Sequence, residues 1–171
     1  MLVTGGASFI GSHLVDKLVK LGAEVTVIDN LSSGRLENLQ DSINKIKFFK
    51  VDLEYASFDK LVRLFKGHEL VFHLAAVHGG RGFIDTHPAD VCSNFVIDHR
   101  TFEASYRAGV EKVVYASSAC VYPPQLQAKV GSEYLLREED SDISNPGNFL
   151  SADREYGWKK LMGELQLLAF I

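Results

Sequence analysis

The stretch TGGASFIGSHLV, Thr4 to Val15, follows a very short apolar run, Leu2–Thr4, and leads straight into a helical pattern. A strand that turns through glycine directly into a helix makes a crossover unit, in which the chain returns to the same sheet as a parallel strand. At such a turn Gly5 permits the tight reversal and Gly11 lets the helix lie close to the sheet. The helix start then presents free N–H groups and the positive end of its dipole to an anion. Ser8 stands where glycine is usual and where the backbone would approach a phosphate most closely. Its Cβ narrows that approach, and its hydroxyl is a donor for a phosphate oxygen. The same turn also serves as a plain helix start with no ligand.

Along the rest of the chain, short apolar runs alternate with longer helical periods, which is the pattern of repeated βαβ units. It predicts strands at 2–4, 24–29, 46–51, 70–74 and 112–117, and helices near 9–21, 35–43, 57–66, 88–108 and 153–169. The strands read as apolar on both faces, as a sheet covered by helices requires. The expected fold is α/β, a doubly wound parallel sheet of the Rossmann type with flanking helices, forming one domain over 1–171. With 171 residues, 46% of them hydrophobic, the chain can bury a core. A net charge of −4 and the lack of a Lys/Arg cluster argue against nucleic acid and anionic membranes as partners. No apolar run approaches the roughly 20 residues of a membrane span, so the expected location is the cytoplasm. There Cys92 and Cys120 stay thiols. The stretch from Pro123 to about Ala152 reads as one long loop. The first strand opens the chain and the last helix reaches Ile171 without a Gly or Pro stop, so the chain reads as the N-terminal part of a longer protein.

Two further stretches carry chemistry. Asp29 ends the second strand at the roughly 20-residue spacing at which a carboxylate accepts the ribose hydroxyls of a dinucleotide. It repels a 2′-phosphate, so the expected cofactor is NAD and not NADP. In YGWKK, Tyr156 and Lys160 are four residues apart and share a helix face. A cation there favours the phenolate and draws the phenol down from its usual pKa of about 10. A surface helix with an extended lysine fits the same spacing. In YASSACVYP, Tyr115 to Pro123, an apolar strand ends in Ser117-Ser118 at the carboxyl edge of the sheet, where open α/β folds bind ligands. A serine hydroxyl, a tyrosine and a lysine are the parts needed to take a proton from an alcohol while hydride leaves its carbon.

TGGASFIG, Asp29, HLAA at 73–76, Asn94, SSACVYP and YGWKK, in this order, resemble the extended short-chain dehydrogenase/reductase family, the NAD-dependent nucleotide-sugar epimerases and dehydratases. The resemblance implies Ser118, Tyr156 and Lys160 as a catalytic trio. It implies NAD contacts at Gly5, Ser8, Phe9, Ile10, Gly11, Asp29, Asn30, Asp52, Leu53, Leu74, Ala75, Ala76, Asn94, Tyr156 and Lys160, with Asn94 as a buried polar group of the long fourth helix. It further implies a nucleotide-sugar substrate, a homodimer, and a substrate-gripping C-terminal lobe that these residues do not include. HLAAVHGGRGF and SSACVYP are most similar to the GDP-mannose 3,5-epimerases of that family. Their glycine-rich substrate loop and catalytic cysteine fall on Gly79, Gly80, Arg81 and Gly82 and on Cys120, with Ser118 also at the substrate. Ser8 and Pro123 depart from the commoner glycines.

Oxidising a sugar at C4 acidifies the protons on C3 and C5, and a thiol with a reference pKa of about 8.5 beside a cation is suited to removing one. The plain alternative for Cys120 is a small buried hydrophobe. The family's dehydratases carry an Asp-Glu pair where Ala119-Cys120 stand here, whereas a 4-epimerase needs only Ser118, Tyr156 and Lys160, and a truncated NAD-binding module without turnover is the remaining alternative. His73, His78 and His87 lack a carboxylate pattern, so no metal is expected. Cys92 reads as packing, and REED, Arg137 to Asp140, as a solvated acidic turn.

Overall fold

The computed structural model describes residues 1–127, 134–142 and 151–170. In chain order the elements are β1 (Leu2–Thr4), α1 (Phe9–Lys20), β2 (Val25–Asp29), β3 (Ile46–Lys50), α2 (Phe58–Phe65), β4 (Leu70–His73), α3 (Arg81–Thr86), α4 (Pro88–Ala108), β5 (Lys112–Tyr115), α5 (Pro124–Gln127) and α6 (Arg154–Ala169). They fall into two compact units, Met1–Ala76 with His99–Ala116, and Val77–Asp98 with Ser117–Ile171.

The first unit holds a five-stranded sheet in the order β3-β2-β1-β4-β5, every pair parallel. The order reverses beside β1, which pairs with β2 on one side and β4 on the other, and Val3 lies opposite both Val27 and Phe72. This is the expected doubly wound sheet with flanking helices. β1 and β2 are buried along their whole length, whereas the edge strands β3 and β5 alternate between half-buried and exposed positions. The expectation of strands apolar on both faces therefore holds only for the central ones. α1 buries Gly11, Val15 and Leu18 at helical spacing, and a core of Val3, Ala7, Val15, Leu18, Val25, Val27 and Leu39 forms around them. The helix ends at Leu21, after which Gly22 takes a left-handed φ of +82°.

The helix expected near 35–43 is replaced by two short 3₁₀ turns, Leu36–Leu39 and Ile43–Lys45. Here the Arg35 N–H and the Asn38 side chain both donate to Ala7 O, and only Leu39 is buried. A segment this short does not sustain an α-helix without a continuous apolar face.

The second unit is built from α3, the start of α4, a 3₁₀ turn at Ala119–Val121, α5, a 3₁₀ turn at Glu138–Ser141, and α6. Its small core is Val121, Ala152 and Leu161, flanked by Tyr122 and Met162. The expected loop after Pro123 thus contains one short helix and one turn, and its residues 128–133 and 143–150 lie outside the described ones. β5 stops at Tyr115, so Ser117 and Ser118 follow the strand instead of ending it. Cys92, expected to pack, is exposed on α4. Among the described residues no helix is long and apolar enough to cross a membrane.

Candidate active site

The first candidate region is the turn after β1. Gly5 has a φ of +69°, and a Cβ there would lie 2.8 Å from Ala75 N, so only glycine lets the chain pass so close to the end of β4. A Cβ at Gly11 would lie 2.2 Å from Gly5 O, which brings the start of α1 tightly against the turn. Phe9 and Ile10 occupy the first positions of α1 with exposed side chains, and their N–H groups precede the first intrahelical bond. Ser8 caps this helix. Its Oγ donates to Gly5 O at 2.6 Å and accepts from Gly11 N at 3.2 Å. The hydroxyl expected to donate to a phosphate donates here to a carbonyl of its own turn.

Asp29, at the end of β2, is buried, with Oδ2 accepting from Ala7 N at 2.9 Å and Oδ1 from Leu31 N at 2.8 Å. Each carboxylate oxygen keeps a lone pair for a ribose hydroxyl. The glycine-spaced turn, the open helix start and this anchored carboxylate fit a dinucleotide. Asn30 and Asp52 bond to each other, Nδ2 to Oδ2 at 2.8 Å, and Leu53 is buried with its carbonyl accepting from Arg100 Nε at 2.9 Å. Leu74 N donates to Thr4 O, and Ala75 N to Thr4 Oγ1, which also bonds the buried His73 ring. Ala76 closes this unit, half-buried.

A separate candidate region belongs to the other unit. Ser118 caps the 3₁₀ turn, its Oγ accepting from Cys120 N at 3.2 Å. Cys120 O accepts from Asp153 N at 2.9 Å, and a Cβ at Gly157 would lie 2.3 Å from that oxygen, so the glycine of YGWKK lets α6 seat directly on the turn. Tyr156 is half-buried beside Lys160, whose Nζ is 5.9 Å from the phenol ring centroid. Lys160 is buried, and that burial, followed by the charge of neighbouring Lys159, draws its amine down to about 7. Burial likewise pushes the Tyr156 phenol up, helped by Cys120 and Asp98. The sequence expectation was the reverse for the phenol. It fails because the cation that should lower it is itself desolvated and half-titrated at neutral pH.

The glycine-rich stretch at 79–82 is not an open loop. Gly80 caps α3, and Gly79 packs on Phe83, where a Cβ would meet the ring's own Cβ at 2.6 Å. Arg81 pairs with Asp153 and, at 3.2 Å, with Asp85, which also binds Arg154 at 3.3 Å. The expected substrate arginine is thus committed to carboxylates of its own unit. Asn94 is fully buried and spent as well. Its Oδ1 accepts from Val77 N, and its Nδ2 donates to Val77 O and Val91 O.

Glu164, Lys159 and Asp98 escaped the sequence reading. Ser117 Oγ donates to Glu164 on α6, and Lys159 Nζ lies 3.0 Å from Asp98 Oδ2 with both side chains buried. Asp98 follows Asn94 by one helical turn on the buried side of α4, a spacing that marked it as a second inward polar group. Among the described residues no group of His, Cys, Asp and Glu side chains could hold a metal ion.

The parallel sheet with its order reversal, and the glycine turn answered by an acidic residue at the end of β2, define a dinucleotide-binding α/β protein. The chain belongs to the NAD dependent epimerase/dehydratase family, which matches residues 1–171. NAD is therefore its cofactor, as the sequence led us to expect. It is 46% identical over 119 residues to a UDP-glucose 4-epimerase of Mycolicibacterium smegmatis, covering 68% of this chain and 38% of that protein. It is 33% identical over 165 residues to GDP-mannose 3,5-epimerase 1 of Oryza sativa subsp. japonica, covering 95% of this chain and 40% of that protein. Among solved structures, the UDP-glucose 4-epimerase of Thermus thermophilus in complex with NAD superposes with a TM-score of 0.80 at 30% identity, over 99% of this chain and 50% of that one. The chain thus spans half or less of each of these relatives.

Proposed function

We propose that this chain is the N-terminal, NAD-binding part of a nucleotide-sugar epimerase that oxidises its substrate transiently at sugar C4 and inverts C3 or C5 through Cys120. The observation that carries the reading is one turn and one helix of the second unit bringing Ser118, Cys120, Tyr156 and Lys160 together, with Ala119 where a dehydratase would need a carboxylate. The likeness to the rice 3,5-epimerase over 95% of the chain supports it.

In this reading the turn after β1 binds the pyrophosphate and Asp29 the adenosine ribose. NAD, when bound, supplies the hydride acceptor. Ser118 orients the C4 hydroxyl, and Tyr156 takes its proton. Lys160, whose amine titrates near neutrality, takes up the proton that Tyr156 must shed beforehand. Once C4 is a ketone, the Cys120 sulfur, having given its own proton to solvent, removes the acidified proton from the adjoining carbon, and a proton returned to the other face completes the inversion. The second acid/base and the substrate-gripping lobe belong to residues beyond those described here, and the assembly is a cytoplasmic homodimer.

A second reading, a UDP-glucose-type 4-epimerase, is favoured by the 46% identity to the Mycolicibacterium smegmatis protein. Solvent isotope separates the two. The full-length enzyme, turning over a nucleotide-sugar in D₂O, is expected to place deuterium on C3 or C5 of the product, and Cys120→Ala to abolish that exchange while C4 oxidation persists. Product free of deuterium returns the assignment to a 4-epimerase, in which hydride leaves and re-enters at C4 without touching solvent.

A further inference from the structure

Two charged side chains of the second unit take part in no step described so far. Lys159 on α6 is 0% exposed and Asp98 on α4 is 1% exposed, with their charged atoms 3.0 Å apart. Such a pair is a poor device for stability alone. Desolvating both charges consumes most of their attraction, and two apolar residues of similar volume hold a pair of helices as well or better. Its place beside the chemistry is more telling. Lys159 directly precedes Lys160 and acts on it through its charge and a side-chain hydrogen bond, while Asp98 acts on Lys159, Lys160 and Tyr156 alike.

We propose that Asp98 and Lys159 are positioning residues of the active site, a buried ion pair that fixes a second ammonium group beside Lys160 and so sets the proton occupancy of the Lys160–Tyr156 couple. The inference rests on the catalytic reading of Tyr156 and Lys160. The groups facing Lys160 are Lys159, Glu164 and Tyr156 from its own helix and Asp98 from α4, and Cys120 faces Tyr156 from the 3₁₀ turn. Lys159 disfavours the charged form of Lys160, whereas Asp98 and, more weakly, Glu164 favour it. Asp98 has a second effect, because burial alone pulls Lys159 down and the carboxylate opposes that loss of charge. The two charges therefore act on Lys160 in opposite directions, and Asp98 also sustains the charge that Lys159 exerts.

That opposition makes the test. In the full-length protein, with and without NAD, trace acetylation by acetic anhydride over a pH series, read by peptide mass spectrometry, reports the free-amine fraction of Lys160. Lys159→Met removes the repelling charge and leaves the attracting one, so the Lys160 midpoint rises by about one pH unit or more. Asp98→Asn removes the attraction and, as Lys159 loses its charge, part of the repulsion as well, so its midpoint moves less than that of Lys159→Met. The double variant Asp98→Asn/Lys159→Met has no Lys159 charge left to change, so it titrates below Lys159→Met. A merely structural pair gives a different pattern, since any loosening admits water and moves the double variant upward at least as far as the single one. A Lys159→Met midpoint that does not rise, or a double variant that titrates at or above it, overturns the proposal. A Tyr156→Phe enzyme that retains its turnover would remove the catalytic reading while leaving these Lys160 midpoints where they are, so the two failures are distinguishable.

Discussion

The turn after β1 and the turn after β5 each lead from a parallel strand toward a helix start, yet they are built by different means. In the first, the positions that matter are glycines, backbone N–H groups and a capping hydroxyl, and the one carboxylate, Asp29, is anchored by the main chain at Ala7 and Leu31. In the second, a short turn seats on α6 through Gly157, and what surrounds it is a set of titratable side chains, the buried Asp98, Lys159 and Lys160 and the half-buried Tyr156. The contrast fits the two tasks proposed for these regions. Holding a pyrophosphate needs several donors in a rigid arrangement, which backbone supplies without proton chemistry. Moving a proton needs a group whose charge changes near neutral pH, and burial is what moves a lysine into that range.

The division has consequences that separate the two regions experimentally. Tyr156→Phe, assayed in the full-length protein, is expected to lower turnover about 10²- to 10⁴-fold while leaving the NAD dissociation constant unchanged, because the hydroxyl acts on the sugar and not on the cofactor. A near-normal rate would break the comparison at its chemical end.

Asp29→Asn tests the binding end. Weakening charge-assisted bonds worth roughly 1.5–3 kcal/mol each is expected to cost about 10- to 100-fold in NAD affinity, and to erase discrimination against NADP. Calorimetric titration with both cofactors measures it, and an unmutated protein that binds the two equally well contradicts the role given to Asp29. The smallest effect is at Ser8. With its hydroxyl bonded to Gly5 O and Gly11 N, Ser8→Ala is expected to lower unfolding stability by about 1 kcal/mol, and Ser8→Gly by only a few tenths, with little change in NAD affinity. A large loss of affinity in Ser8→Ala would instead make that hydroxyl a phosphate ligand and blur the line between the regions.

The alternation of strand and helix, the glycine turn, Asp29 and the Tyr156–Lys160 spacing are all legible in the amino-acid sequence. Each rests on a local property: a hydrophobic period, a backbone angle only glycine adopts cheaply, or a helical offset of four residues. The same local reading put a helix at 35–43, where polar bonds from Arg35 and Asn38 to Ala7 O break the segment into 3₁₀ turns. It also left Arg81 open to substrate, although Asp153, far along the chain, occupies it. The direction in which Tyr156 titrates was beyond it as well, for a helix wheel shows a cation beside the phenol but not how much water either retains. By itself, then, the sequence determined the topology and the cofactor class, because those follow from neighbours along the chain. Only the tertiary structure decided which charges are buried, which carboxylate meets which cation, and so which protons are free to move, because desolvation and long-range pairing exist only once α4, α6 and the Ser118 turn have packed together.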